Sequence, residues 1–303
     1  MKIFKHQKNM KFFLFASLIF LFVNANAQSA NGYDISLDGH WVGSNSDAAF
    51  QSHSIHAKLL SSPINQGKDG VISVNGMYSF VNFTFENNKE LFKDLDYFHS
   101  IGFALSYSRG LKNTNWYLTG MVIPQLNSNF TDGIKGGDFY LNAVLLATHM
   151  IRKDARLTIG LTYSSTLGFP APIPIISYWK AWNDQWEMNL GFPKMYLTHH
   201  FNKKSSIMTL LELKGYNGNI SSGFNDPLFE KNRAAQRVSY RDILTGLEYS
   251  YKLNNILLNF DASYAINRNL KLQNTDNETA YKFDVSNGWT VGIGIAFNLH
   301  NKK

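Results

Sequence analysis

Nine histidines, scattered serines and no cysteine bound the chemistry open to this 303-residue chain. His53 and His56 have a spacing that chelates a metal on a helix, but on a strand it sends the two rings to opposite faces. The adjacent His199 and His200 diverge for the same reason, so surface or girdle histidines are expected and no metal site. A Ser–His pair on the outside of a barrel could hydrolyse lipid, and His149 and Ser165 share the outer parity of neighbouring strands. The turn at Lys153-Asp154, however, pairs His149 with a residue near 157–159. Ser165 is then displaced by roughly 20 Å at about 3.3 Å per residue. Gly292-Ile293-Gly294 carries two glycines of a dinucleotide fingerprint, yet no helix follows it. No catalytic residue and no cofactor is expected.

One polar group remains. Asp34, Asp38, Glu187, Glu212, Lys214, Glu248 and Asp261 fall on the polar faces of alternating segments. They could line a pore that selects solutes. They could equally pair into networks that plug a barrel. Either role needs strands to hold them, and the clearest strand is the stretch Gly288 to Leu299. Trp289, Val291, Ile293, Ile295 and Phe297 form its apolar row and are expected to face lipid. Thr290, Gly292, Gly294 and Ala296 form a small, polar row. A tilted strand crosses a bilayer with about 9–11 residues.

Composition agrees with such strands. Aromatic residues make up 15% and charged residues 17% of the chain, below the roughly 25% charge of soluble domains. The formal charge of +7 falls to 25 − 22 = +3 once Lys2, Lys5, Lys8 and Lys11 are set aside. That mildly basic body has no stripe for nucleic acid. Without cysteine there is no disulfide, thiol nucleophile, Cys-ligated metal or lipidated N-terminus. Residues 1–27 read as a cleaved signal peptide: basic to Lys11, apolar from Phe12 to Val23, then Ala25-Asn26-Ala27. Twelve apolar residues are too few for a spanning helix. Residues 28–303 form one barrel domain in this reading.

Strands then recur along the chain. Tyr33 to Val42, Phe98 to Arg109, Leu157 to Leu167, Gln185 to Phe192 and Asn255 to Leu272 alternate cleanly. In Val71 to Phe85 the apolar parity changes near Phe80-Val81, which suggests a bulge. Glu86 to Tyr97 has helical spacing, and Asn217 to Gln236 reads as the longest loop. Short turns near 112–115, 152–155, 202–205 and 252–255 alternate with longer segments, the mark of outer-membrane barrels. The count is fourteen, or twelve if the proline-flanked segments between 174 and 201 do not all span.

The run Phe169-Pro170-Ala171-Pro172-Ile173-Pro174, the hairpin at Asn183-Asp184-Gln185-Trp186, the stretch Leu190-Gly191-Phe192-Pro193-Lys194 and the closing Gly288 to Leu299 together resemble an uncharacterised family. It comprises exported β-barrel proteins of Gram-negative bacteria and is defined only as a domain of unknown function. The resemblance implies an outer-membrane barrel and brings no catalytic residues. Many such barrels end on an aromatic residue, whereas here Phe297 is followed by Asn298 to Lys303.

The expectation is therefore an all-β, antiparallel up-and-down transmembrane barrel of 12–14 strands in the outer membrane. Its role would be a passive small-solute channel or a structural barrel, binding no nucleic acid and acting as a monomer. Its partners would be outer-membrane lipid, the barrel-insertion machinery during assembly and a small solute. The alternatives are a soluble periplasmic or surface β-sandwich that binds a ligand, and a lipid-modifying barrel enzyme.

Overall fold

The computed structural model describes residues 35–42, 48–64, 70–85, 92–224 and 234–298. The signal segment 1–27 and Asp34 lie outside the described residues. The strands are β1 (Ile35–Val42), β2 (Ala48–Ile64), β3 (Gly70–Phe85), β4 (Tyr97–Gly110), β5 (Trp116–Ser128), β6 (Phe139–Arg152), β7 (Ala155–Ser164) and β8 (Ala171–Ala181). They continue as β9 (Trp186–Phe192), β10 (Lys194–His200), β11 (Ser205–Phe224), β12 (Ala235–Leu253), β13 (Ile256–Gln273), β14 (Thr279–Phe283) and β15 (Gly288–Phe297).

From β1 to β13 each strand pairs antiparallel with the next, and β15 closes the sheet between β13 and β1. The seam joins Leu37 to Ile295 and Trp41 to Val291, so the last strand meets the first. β14 lies beside the upper half of β13 and β15 beside its lower half. The 15 strands therefore fill 15 − 1 = 14 positions in a closed barrel. Closure matters because it pairs the first and last strands instead of leaving both as free edges.

β9 and β10 belong to the wall but are only 7 residues each. Pro193 alone joins them, so their hairpin stops short. Above it, β8 stays paired with β7 but has no partner on its β9 side beyond Ile176↔Phe192. Pro172 and Pro174 fall in that edge stretch, where a missing N–H costs least.

Two expectations change. The parity switch in β3 is no bulge, because its register with β4 runs unbroken from Val71↔Ser108 to Asn82↔Tyr97. Instead the apolar side chains change faces. Ile72, Val74, Tyr78 and Phe80 share the outer face with exposed Tyr107 and Leu105 of β4. Val81, Phe83 and Phe85 point inward and are buried. A register shift does occur near Asn267 of β13, whose φ is +52°. Second, residues 217–236 are not all loop, since β11 continues to Phe224 and β12 begins at Ala235. Of the segment with helical spacing before β4, residues 86–91 lie outside the described residues, and the described part holds a 3-10 turn at Lys93–Leu95 with Phe92 and Leu95 buried in the interior.

Candidate functional site: a sealed mouth above a charged lumen

The lower lumen is built from the small and polar rows of the strands. Across four strands, Glu248 stands opposite Asp261, Asp261 opposite Gly292, and Gly292 opposite His40. A Cβ on Gly292 would collide with the Asp261 carboxylate and stand 2.6 Å from His40 Nδ1. The glycine thus lets those two side chains meet over β15, at 3.4 Å. In the next row Ser250 Oγ donates to Asn259 Oδ1 at 2.9 Å, and Asp38 reaches toward Gly294. On the neighbouring strands β10 and β11, Lys194 Nζ lies 3.4 Å from Glu212 Oε2. Lys214 stands opposite Asp242, and Glu187 opposite the buried Thr198.

All the described members of the expected inner set, Asp38, Glu187, Glu212, Lys214, Glu248 and Asp261, therefore lie on inner rows. Glu248 links the two ends of the set, with Asp261 facing it from β13 and Glu212 and Lys194 acting on it from β11 and β10. Asp38, Glu248 and Asp261 sit near the seam, whereas Glu187, Glu212 and Lys214 line the region of β9 to β11. Missing from that set were His40, Lys194 and Asp242, although His40 and Lys194 keep the same parity as their acidic partners. Of the expected outer row, Trp289 is 70% exposed, Val291 55% and Ile293 48%. Ile295 and Phe297 keep that parity and are half-buried.

Above this lumen the upper parts of β11 and β12 fold inward and close the barrel at its long-loop end. Their inner face is apolar, with Tyr216 and Ile220 on β11 and Val238 and Tyr240 on β12. It packs against Val81, Phe83, Phe85 and Phe98 of β3 and β4, with Phe92, Leu95, Leu270, Leu272 and Phe283 completing the cluster. Phe83 alone meets the rings of Phe85, Phe98, Tyr216 and Tyr240 at centroid distances of 5.9–6.3 Å. Apolar side chains turned inward escape water only against each other, so they pack across the mouth.

The other face of the arm is polar and is tied to the opposite wall. Asn219 of β11 bridges to Ser128 of β5 in parallel. Asn127 Nδ2 donates to the Asn217 carbonyl at 2.5 Å, and Tyr216 donates its hydroxyl to Asn127 Oδ1 at 2.7 Å. Tyr140 donates to Asn217 Oδ1 at 3.0 Å, while Asn217 Nδ2 reaches the Gly168 carbonyl at 2.9 Å. Ser239 donates to the same carbonyl. Asn219 Nδ2 donates to Asp138 Oδ1 at 2.7 Å, and the Ser221 amide to Asn129 Oδ1 at 2.9 Å. Asn127, Ser128, Asp138 and Asn217 are buried. Buried amides are costly unless paired, and satisfied networks specify one arrangement. The segment after β7 comes close enough that a Cβ on Gly215 would meet the Thr166 carbonyl oxygen at 2.3 Å. Backbone packs there on backbone.

The remaining candidates sit apart. His149 pairs with Leu157 and stacks on Trp116 at 4.7 Å, at the short-turn end. Ser165 follows β7 at the other end, beside the mouth. His199 faces Trp186 at 4.3 Å. The side chains of His53 and His56 lie outside the described residues.

A family profile described as "Domain of unknown function (DUF6268)" matches residues 24–298. No curated protein matches the chain. Among solved structures the NanC porin is similar at 9% identity and a TM-score of 0.36, over 88% of this chain and 100% of that one. A mutant of the TodX monoaromatic hydrocarbon channel is similar at 10% identity and a TM-score of 0.40, over 91% and 92%. A mutant ferric enterobactin receptor from Pseudomonas aeruginosa follows at 7% identity and 0.27, over 88% and 60%. At these scores none of the three adds to what the strand pairing establishes.

Proposed function

The chain belongs to the family described as Domain of unknown function (DUF6268), and on that footing we propose that it is an outer-membrane β-barrel closed to solutes at rest. The observation that carries this reading is the outer face of the wall. Large apolar side chains stand exposed on strand after strand, among them Phe103, Leu118, Leu145, Leu161, Leu190 and Ile293. Such a surface far exceeds the apolar patches that soluble monomers tolerate. It fits a barrel whose wall is solvated by lipid and whose inner rows are polar. The longer connections mark the end facing outward, so the sealed mouth is the outer one.

Of the two passive roles, the seal favours a structural barrel. Conduction would require the upper part of β11 to leave both the aromatic cluster and its polar ties to β5. The reading assigns the protein a monomeric state, lipid as its surroundings, dependence on insertion machinery during assembly, and no enzymatic activity.

Fractionation and electrophoresis test it. The protein is expected in the membrane fraction, with a folded band in unboiled sample that changes mobility on boiling. Recovery in the soluble fraction with no heat-dependent shift would overturn the reading.

A further inference from the structure

A cationic patch lies on the outside of the wall above the apolar face, and among the described residues no carboxylate forms an ion pair with it. On β13 the outer residues Ile256, Leu258, Phe260, Ala262, Tyr264 and Ile266 are apolar. Ten residues of strand make roughly 25 Å of height at about 3.3 Å per residue and a tilt near 40°. Tyr264 packs edge-on to Trp289 at 5.2 Å within that band. Five residues above Ile266 comes Lys271, pointing away from the buried Leu270 and Leu272 on either side.

Lys271 stands directly opposite Lys282 of β14. Like charges facing each other across a ladder destabilise it, so this pair calls for an explanation. Arg241 of β12 lies diagonally beside it, since Ser239 is Lys271's partner and Arg241 is two residues on. The basic groups acting on Lys271 are Arg241 and Lys282. Among the described residues, Lys271, Lys282 and Arg241 take part in no ion pair. Three cations therefore converge on the outward face just above the apolar band, with Lys271 and Arg241 half-buried and Lys282 exposed.

We propose that Lys271, Lys282 and Arg241 hold the phosphate of a membrane lipid headgroup. This rests on the membrane reading above. The chemistry is that of a divalent oxyanion accepting charge-assisted hydrogen bonds from two ammonium groups and a guanidinium. Its acyl chains would run down the apolar face past Tyr264 and Trp289. The bound phosphate would offset the repulsion that the ladder otherwise carries.

The test uses the purified full-length barrel in neutral detergent, and reads the temperature at which the folded gel band is lost. Three additions are compared: phosphatidate, phosphatidylcholine and inorganic phosphate. Phosphatidate is expected to raise the temperature for the natural protein, and the other two to leave it unchanged. Lys271→Gln with Lys282→Gln should abolish that rise. Without lipid the double variant should be at least as heat-resistant as the natural protein, because a like-charge pair has gone. Lys271→Arg should keep the response. An equal rise in the double variant would overturn the site. So would a rise with inorganic phosphate alone, which would make it a free-anion site. Absence of any heat-sensitive folded band would instead strike the membrane reading itself.

Discussion

Phe83→Ala is expected to cost about 3–5 kcal/mol, the range for emptying a large aromatic site in a packed interior. Phe83 is 0% exposed and touches rings from three other strands as well as its own neighbour Phe85. Its removal takes away transfer free energy and leaves a cavity between β3, β4, β11 and β12, where the backbone cannot collapse without loosening the arm. The measurement is urea unfolding of the barrel in lipid vesicles. Phe83→Leu should recover part of the loss by refilling volume. A change within about 0.5 kcal/mol for Phe83→Ala, as at an ordinary surface position, would mean that the inward aromatic row is not packed.

The second large effect is on the opposite side of the wall. Ile293→Lys should cost about 2–4 kcal/mol near the bilayer midplane, because a charged group then faces hydrocarbon. Ile293 pairs with Gly39 and Phe260 in the middle of β15 and is well exposed. Gly294→Ser, one residue along, should be mild. A Cβ there would come within 2.6 Å of Asp38 Oδ1, but a carboxylate at the end of a flexible side chain can move and accept the new hydroxyl. The same unfolding experiment reads both variants. Reversed magnitudes would exchange the two faces.

Much of the wall was legible from period-2 alternation. β15, β7 and the lower half of β13 separate their rows so cleanly that the two faces could be read directly. Asp38, Glu212 and Asp261 were legible on inner rows for the same reason. The mouth was not, because there the rule that links polarity to face inverts. In β3 the apolar set crosses from outside to inside at Phe80-Val81 while the strand runs straight. Periodicity alone renders that as a bulge. The same inversion recurs on β12, where Gly246 and Glu248 give way to Tyr240 and Val238 on the inner row. The polar stretch after Tyr216 looked like loop because Asn217, Asn219 and Ser221 carry no apolar alternation. They are strand residues whose partners, Asn127, Asn129, Asp138 and Tyr140, lie 77 to 92 positions away in sequence. Side-chain ties of that range leave no local signature. His40 escaped because its role depends on Gly292, a residue whose contribution is the room it leaves.

The seal is tested most directly by current. Folded barrel, verified by its heat-dependent mobility, is inserted into planar bilayers and recorded without and with the paired substitution Asn127→Ala and Asn217→Ala. The natural protein is expected to insert without steady conductance steps, and the variant to show intermittent openings as the arm loses its ties to β5. Steady open-pore steps from the natural protein would contradict a mouth closed by β11 and β12.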